Sequence, residues 1–143
     1  MTPHFHALER MYLGGPINQF FRPKIGISQG AAEIRMLVRP DMHHAAHAAH
    51  GAVYFKMLDD AAFFAVQSLV TDTFVLTSSF SLYLLAPVAE GEMVAKGVVV
   101  HQSKRLFLGE AHVELDGRLV ARGSGSFVCS AIKLDGSVGY GAD

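Results

Sequence analysis

Hydrophobic and polar positions change their period sharply near the middle of this chain. Over 52–70 apolar side chains cover most of a helical circumference, broken by the charges of Lys56, Asp59 and Asp60. That stretch predicts one long helix, roughly 28 Å at ~1.5 Å per residue. Beyond it the period becomes two. From 74 to 84 the even positions Phe74, Leu76, Phe80, Leu82 and Leu84 are apolar, with Ser78 the exception. The odd ones include Thr77, Ser79, Ser81 and Tyr83, giving the period of two expected of a half-buried strand. Further strands are expected over 93–101, 106–115 and 119–130, the last two joined by Asp116-Gly117, a pair suited to the positive φ of a type I′ turn. Before the long helix the pattern predicts a helical segment over 5–20, broken by Gly14-Gly15-Pro16. A strand pair comes next around Gln29-Gly30, its second arm at 31–39, and then the loop of 40–51. The Gly-rich tail from Leu134 is expected to fray.

A mostly apolar helix cannot stand in water, so something must surround it. Five or six antiparallel strands wrapped around one helix is the simplest α+β solution; a ferredoxin-like sandwich requires two comparable helices. The chain has 143 residues, the size of one domain, long enough for a real core. Residues 1–143 are therefore read as a single domain, with 1–22 an N-terminal helical segment and 134–143 a flexible tail. Half the residues are hydrophobic and 17% charged, which argues against disorder. A formal net charge of -1 gives no broad basic field for nucleic acid. Cys129 is the single cysteine, which excludes an internal disulfide and a Cys-based zinc site. No apolar run is long enough to span a membrane, and the first residues lack a signal-peptide core. The expected location is the cytoplasm.

The candidate chemistry lies at the start of the long helix. Its first backbone N–H groups, at Gly51 or Ala52, have no intrahelical partner and sit at the positive end of the dipole. Such donors suit the oxyanion formed when a thioester carbonyl is attacked. On a helical wheel Lys56, Asp60 and Gln67 form one polar stripe, so Asp60 reads as a solvated partner of Lys56. Asp59 is rotated about 100° away, beside Phe55, Ala62, Phe63 and Val66. A carboxylate on an apolar face is a candidate general base or nucleophile. His43, His44, His47 and His50 crowd one loop, but no acid or thiol lies among them and no metal is assigned. Lys104 and Arg105 form a basic turn suited to phosphates.

With these residues in place, the chain resembles the phenylacetate-degradation-type (HGG motif) branch of the hot-dog thioesterases, over 34–128. The segment HGAVYFKMLD, from His50 to Asp59, is similar to that family's H-G-G…D pattern, with the acid nine residues after the histidine. TSSFSLYLLAPVAEGEMVAKGVVVHQSKR is similar to its strand, Pro, Gly, strand and basic turn. The resemblance implies a hot-dog fold and acyl-CoA hydrolysis. It places the carboxylate at Asp59, the carbonyl-polarising amide at Gly51, a polar companion at His50, a hydroxyl that helps to hold water at Thr77 and a CoA-end cation at Lys104. It implies no cofactor, since coenzyme A belongs to the substrate. It also implies a homodimer, or a homotetramer, with the site shared and Thr77 and Lys104 supplied by the partner. Ala52 stands where the second glycine is usual. His44 stands where many relatives carry an amide, and either replaces it or marks an altered site. Ala52, Phe55, Phe63 and Tyr83 are candidate acyl contacts, fitting an aryl or a medium-chain group equally well. The alternative is a non-catalytic acyl-CoA-binding protein.

Overall fold

The computed structural model describes residues 3–141. Two short helices, α1 (Pro3–Gly14) and α2 (Pro16–Phe21), precede the strands β1 (Lys24–Ser28) and β2 (Ala31–Val38). A 3-10 turn at Pro40–Met42 leads to α3 (Gly51–Gln67), then to β3 (Thr73–Leu84), β4 (Gly91–Gln102), β5 (Leu106–Leu115) and β6 (Arg118–Lys133). The strands form one antiparallel sheet in the order β1-β2-β4-β5-β6-β3, curled around α3. This is the hot-dog arrangement expected from the hydrophobic pattern. The first two residues of the predicted N-terminal segment, and the last two of the tail, lie outside the described residues. Among the described residues no helix is long and apolar enough to cross a membrane.

The core is the contact between α3 and the inner face of the sheet. Leu58, Ala61, Ala62, Ala65 and Val66 are wholly buried there against Val75, Met93, Ala95, Val113, Ala121 and Phe127. The helix lies close because β4 has no side chain at Gly97, where an added Cβ would fall 2.3 Å from the Ala61 carbonyl oxygen. The β5–β6 hairpin turns on Asp116 and Gly117 with φ of 52° and 80°, the positive pair a type I′ turn needs. At the β1 edge, Glu9 of α1 accepts the Ile27 N–H at 2.9 Å, so the first helix covers that end of the sheet.

Four expectations are corrected. The long helix stops at Gln67 instead of reaching 70, because the Gln67 amide donates to Val70 O and Thr73 O and accepts from Val75 N, drawing the chain back into β3. The stripe of Lys56, Asp60 and Gln67 is not a solvated face. The N-terminal helices lie over it, leaving Gln67 at 0% exposure and the Lys56 and Asp60 side chains at 12% and 20%. The alternation along β3 is not continuous either: Ser78 is an extra residue between the pairs Thr77↔Phe127 and Ser79↔Ser126. A bulge of this kind reverses the facing of the residues beyond it. Val75 and Thr77 point inward before it and Phe80 and Leu82 after it, while Leu76 is exposed. Finally, the described part of the tail is tied down. Leu134, Val138 and Tyr140 pack against the core, and His4 pairs with the Tyr140 hydroxyl at 2.7 Å.

Candidate active site

Asp59 sits halfway along α3, half-buried on the side of the helix that meets β3. Its Oδ1 accepts from the Thr77 hydroxyl at 2.9 Å. Both residues belong to one chain, so the expectation that a partner supplies Thr77 is not met for this contact. The inward facing of Thr77, set just before the Ser78 bulge, makes the contact. Burial pushes the Asp59 carboxyl up to about 6. The Thr77 hydrogen bond opposes that rise, the Asp60 charge adds to it, and Lys56 opposes it weakly. A carboxyl tuned in this way is ionised at neutral pH and basic enough to take a proton from water.

Asp59 and Thr77 form part of the wall of a cavity of about 480 Å³. Phe63, Phe64, Phe74 and Leu76 contribute from α3 and β3, and Met11, Tyr12, Ile17 and Asn18 from the N-terminal helices. Phe63 is the hub of an aromatic cluster, with ring centroids 5.0 Å from Phe64 and 5.3 Å from Phe74. Lys56 and Asp60 border the same cavity but are committed to each other at 2.6 Å, and the Tyr12 hydroxyl donates to the same Asp60 oxygen at 2.8 Å. Burial, then the Asp60 charge and hydrogen bond, push the Tyr12 phenol well above its ordinary range. The tyrosine therefore stays neutral. Sequence reasoning missed the whole N-terminal wall, whose residues lie far from Asp59 along the chain.

The start of α3 is built differently from its middle. His50 is the N-cap, its Nδ1 accepting the Ala52 N–H at 2.9 Å, and its carbonyl accepts from Val53 N at 2.9 Å. That engages Ala52 and leaves the Gly51 N–H without an acceptor among the described residues. Gly51 and His44 line a second, smaller cavity of about 300 Å³ with Tyr54, Leu84 and Pro87. His44 holds its own loop, Nδ1 accepting from Ala46 N at 3.1 Å, and His43 bonds the Ala89 carbonyl at 2.7 Å. Gly51 and Asp59 are eight residue steps apart along the helix, about 12 Å at ~1.5 Å per step. The two do not meet within one chain.

Of the remaining candidates, Phe63 alone lines the Asp59 cavity. Phe55 is exposed on the same helix, its ring 5.7 Å from Phe80. Ala52 is exposed beside it, and Tyr83 is 70% exposed near the end of β3. Lys104 and Arg105 stand exposed in the turn between β4 and β5, outside both cavities.

A family model of the thioesterase superfamily matches residues 47–122, more than half of the chain. The match takes in all of α3 and β3 and both cavity carboxylates. Among solved structures, the fold is similar to that of the E. coli PaaI protein from the phenylacetic acid degradation operon. That likeness has a TM-score of 0.82 at 20% identity, covering 92% of this chain and 99% of that one. A phenylacetic acid degradation-related protein of Ralstonia eutropha gives 0.78 at 18% identity, covering 87% and 98%. A conserved protein of Pseudomonas aeruginosa gives 0.79 at 24% identity, covering 85% and 98%. At these identities the likeness is one of fold. No curated protein sequence matches the chain.

Proposed function

The chain belongs to the thioesterase superfamily, and we propose that it hydrolyses an acyl-CoA thioester to the free acid and coenzyme A, with Asp59 delivering the attacking oxygen. One observation carries this reading: a carboxylate on the wall of an otherwise largely apolar cavity, raised toward neutrality by burial. A protein that only bound acyl-CoA would gain nothing from desolvating that charge, which is why the non-catalytic alternative ranks second. Thr77 engages Oδ1 and leaves Oδ2 for chemistry. In the base-catalysed form, Oδ2 takes a proton from water as the water oxygen bonds to the acyl carbon. The carbon–sulfur bond then breaks, and the departing thiolate takes the proton up. In the nucleophilic form, Oδ2 itself bonds to the acyl carbon as the carbon–sulfur bond breaks and the thiolate departs; water then cleaves the resulting anhydride, restoring the Asp59 carboxylate and supplying the proton that the thiolate takes up.

The developing oxyanion needs a donor, and the uncommitted Gly51 N–H suits it. Because Gly51 and Asp59 lie about 12 Å apart along one helix, the reading joins the Gly51 end of one copy to the Asp59 of a second. His44 borders the Gly51 cavity and would contact the bound ester there. His50 acts as the cap that holds the helix start. Lys104 and Arg105 supply cations for the phosphates of coenzyme A, where arginine binds bidentately.

The test is release of free thiol from aryl- and alkyl-CoA esters. Asp59→Asn should lower the rate by at least about two orders of magnitude with the fold intact, as loss of a general base or nucleophile does. A variant that still hydrolyses at the wild-type rate would remove Asp59 from the chemistry.

A further inference from the structure

We infer that Arg39 is a positioning residue for the acyl group: from the end of β2 it fastens α2, and α2 fixes one side of the mouth of the Asp59 cavity. The inference rests on the proposed hydrolysis only for identifying the ligand as an acyl group.

Exposure identifies the mouth. Most residues on the cavity wall are buried or half-buried, whereas Ile17 is 59% and Leu76 42% exposed, so the opening runs between α2 and β3. Leu76 is fixed by the pairing of β3 with β6, where it sits opposite Val128. Ile17 has no such frame. Its helix is six residues long and buries only Asn18, and Gly14-Gly15 joins it to α1. A helix of that length does not hold its shape on its own in water. The Asn18 amide donates to the Tyr12 carbonyl, which ties α2 to α1 and not to the sheet.

Arg39 makes the tie to the sheet. Its Nη2 donates to the Phe20 carbonyl at 2.5 Å and its Nη1 to the Phe21 carbonyl at 3.3 Å. These are the last two carbonyls of α2, which have no acceptor role inside the helix. The guanidinium carbon also lies 5.0 Å from the centre of the Phe20 ring, and Nε donates to Asp41 at 3.2 Å, which aims the fork at α2. Arg39 directly follows β2, a strand paired on both sides. A planar fork with several donors and a stacking face meets all these contacts at once, which an ammonium group cannot. Phe20 and Phe21 follow Ile17 by about one helical turn, so holding their carbonyls holds Ile17 across the mouth from Leu76. A wall held at a fixed distance reads acyl length, since one methylene more or less in an apolar pocket is worth roughly 10- to 200-fold.

The experiment measures thiol release from the straight-chain series butanoyl- to hexadecanoyl-CoA. Arg39→Met keeps the length of the side chain and loses the fork. In it, KM for the best ester should rise about fivefold or more with kcat within about twofold, and the preference for that ester over its next longer homologue should shrink at least about threefold. Exchange of the Arg22 amide, bonded to the Asn18 carbonyl, should quicken about tenfold while the amides of α3 stay protected. Arg39→Lys carries the same expectations should the methionine variant fail to fold. Arg35→Met, at a β2 arginine bonded to Glu33 and Glu92, is the control and should change neither KM nor the preference. Ile17→Ala alters an exposed side chain and should blunt the length preference in the same way. An unchanged preference in Arg39→Met or in Ile17→Ala, or a loss shared equally by every ester and by the exchange of α3, overturns the inference and leaves Arg39 a stabilising residue alone. Should no ester release thiol, the hydrolase reading falls instead, and calorimetric binding of the same series to the wild type and to Arg39→Met still decides the role of Arg39.

Discussion

Asp59 and Asp60 are neighbours with opposite assignments, and pH separates them. The Asp59 carboxyl titrates near 6 in the folded chain against 3.8 for an unperturbed group. Between those values the folded state holds more protons than the unfolded one, so ionising Asp59 opposes folding as pH rises through that window. Asp59→Asn should therefore melt above the wild type at pH 8 and level with it below about pH 4, as thermal denaturation would show. The same group predicts that kcat/KM climbs through a midpoint near 6, because the ionised form is the one that reacts. Asp60→Asn removes a charge that raises Asp59, so the midpoint should move to lower pH. It also puts a neutral amide where Lys56 and Tyr12 share a carboxylate, which should cost about 1–3 kcal/mol in denaturant unfolding while turnover at pH 8 stays within a few-fold. Helical spacing alone separated the two acids in the sequence. It gave no hint that Asp60 is covered, because Tyr12, which covers it, lies 48 residues away.

Element boundaries and faces were legible wherever local chemistry sets them. The Asp116-Gly117 turn and the limits of β5 are of that kind. The face presented by β3 was not: the even positions turn apolar again after the exception at Ser78, and only pairing with β6 reveals that serine as an added residue. Close approach of α3 to the sheet was equally hidden, since a glycine in a Val-rich strand looks like any other. Gly97 gives that approach a measurable form. An added Cβ would meet the Ala61 carbonyl at 2.3 Å and Ala62 N at 2.7 Å, backbone atoms inside a buried helix that cannot step aside. Gly97→Ala should lose about 3 kcal/mol in chemical denaturation, the upper range for overpacking. Gly26→Ala, which meets nothing within 4 Å, is the control and should lie within about 0.5 kcal/mol of wild type.

At the scale of the molecule, the groups proposed for the reaction lie at two separate cavities of one chain. Asp59 and Thr77 are at one cavity and Gly51 at another, and β3 is an edge strand with one side unpaired in the sheet order. Exposed edges invite pairing, and an isologous β3–β3 contact would give every copy the same partner. Light scattering at micromolar concentration should find at least twice the 15.4 kDa of one chain, with a homotetramer the next closed assembly. A fully active monomer would remove both the interface and the shared site. The sequence carried the carboxylate and the helix start but not the cavity's outer wall, which comes from α1, α2 and Val138, residues brought together only by folding. That division of labour bears on how such chains diverge. Asp59 belongs to the central helix, where change is costly, while much of the cavity wall around it belongs to a short peripheral segment broken at Gly15-Pro16. The shape of that wall can then drift by point changes in the segment while Asp59 and Thr77 are kept, so on the proposed reading chains with the same chemistry need not share a substrate.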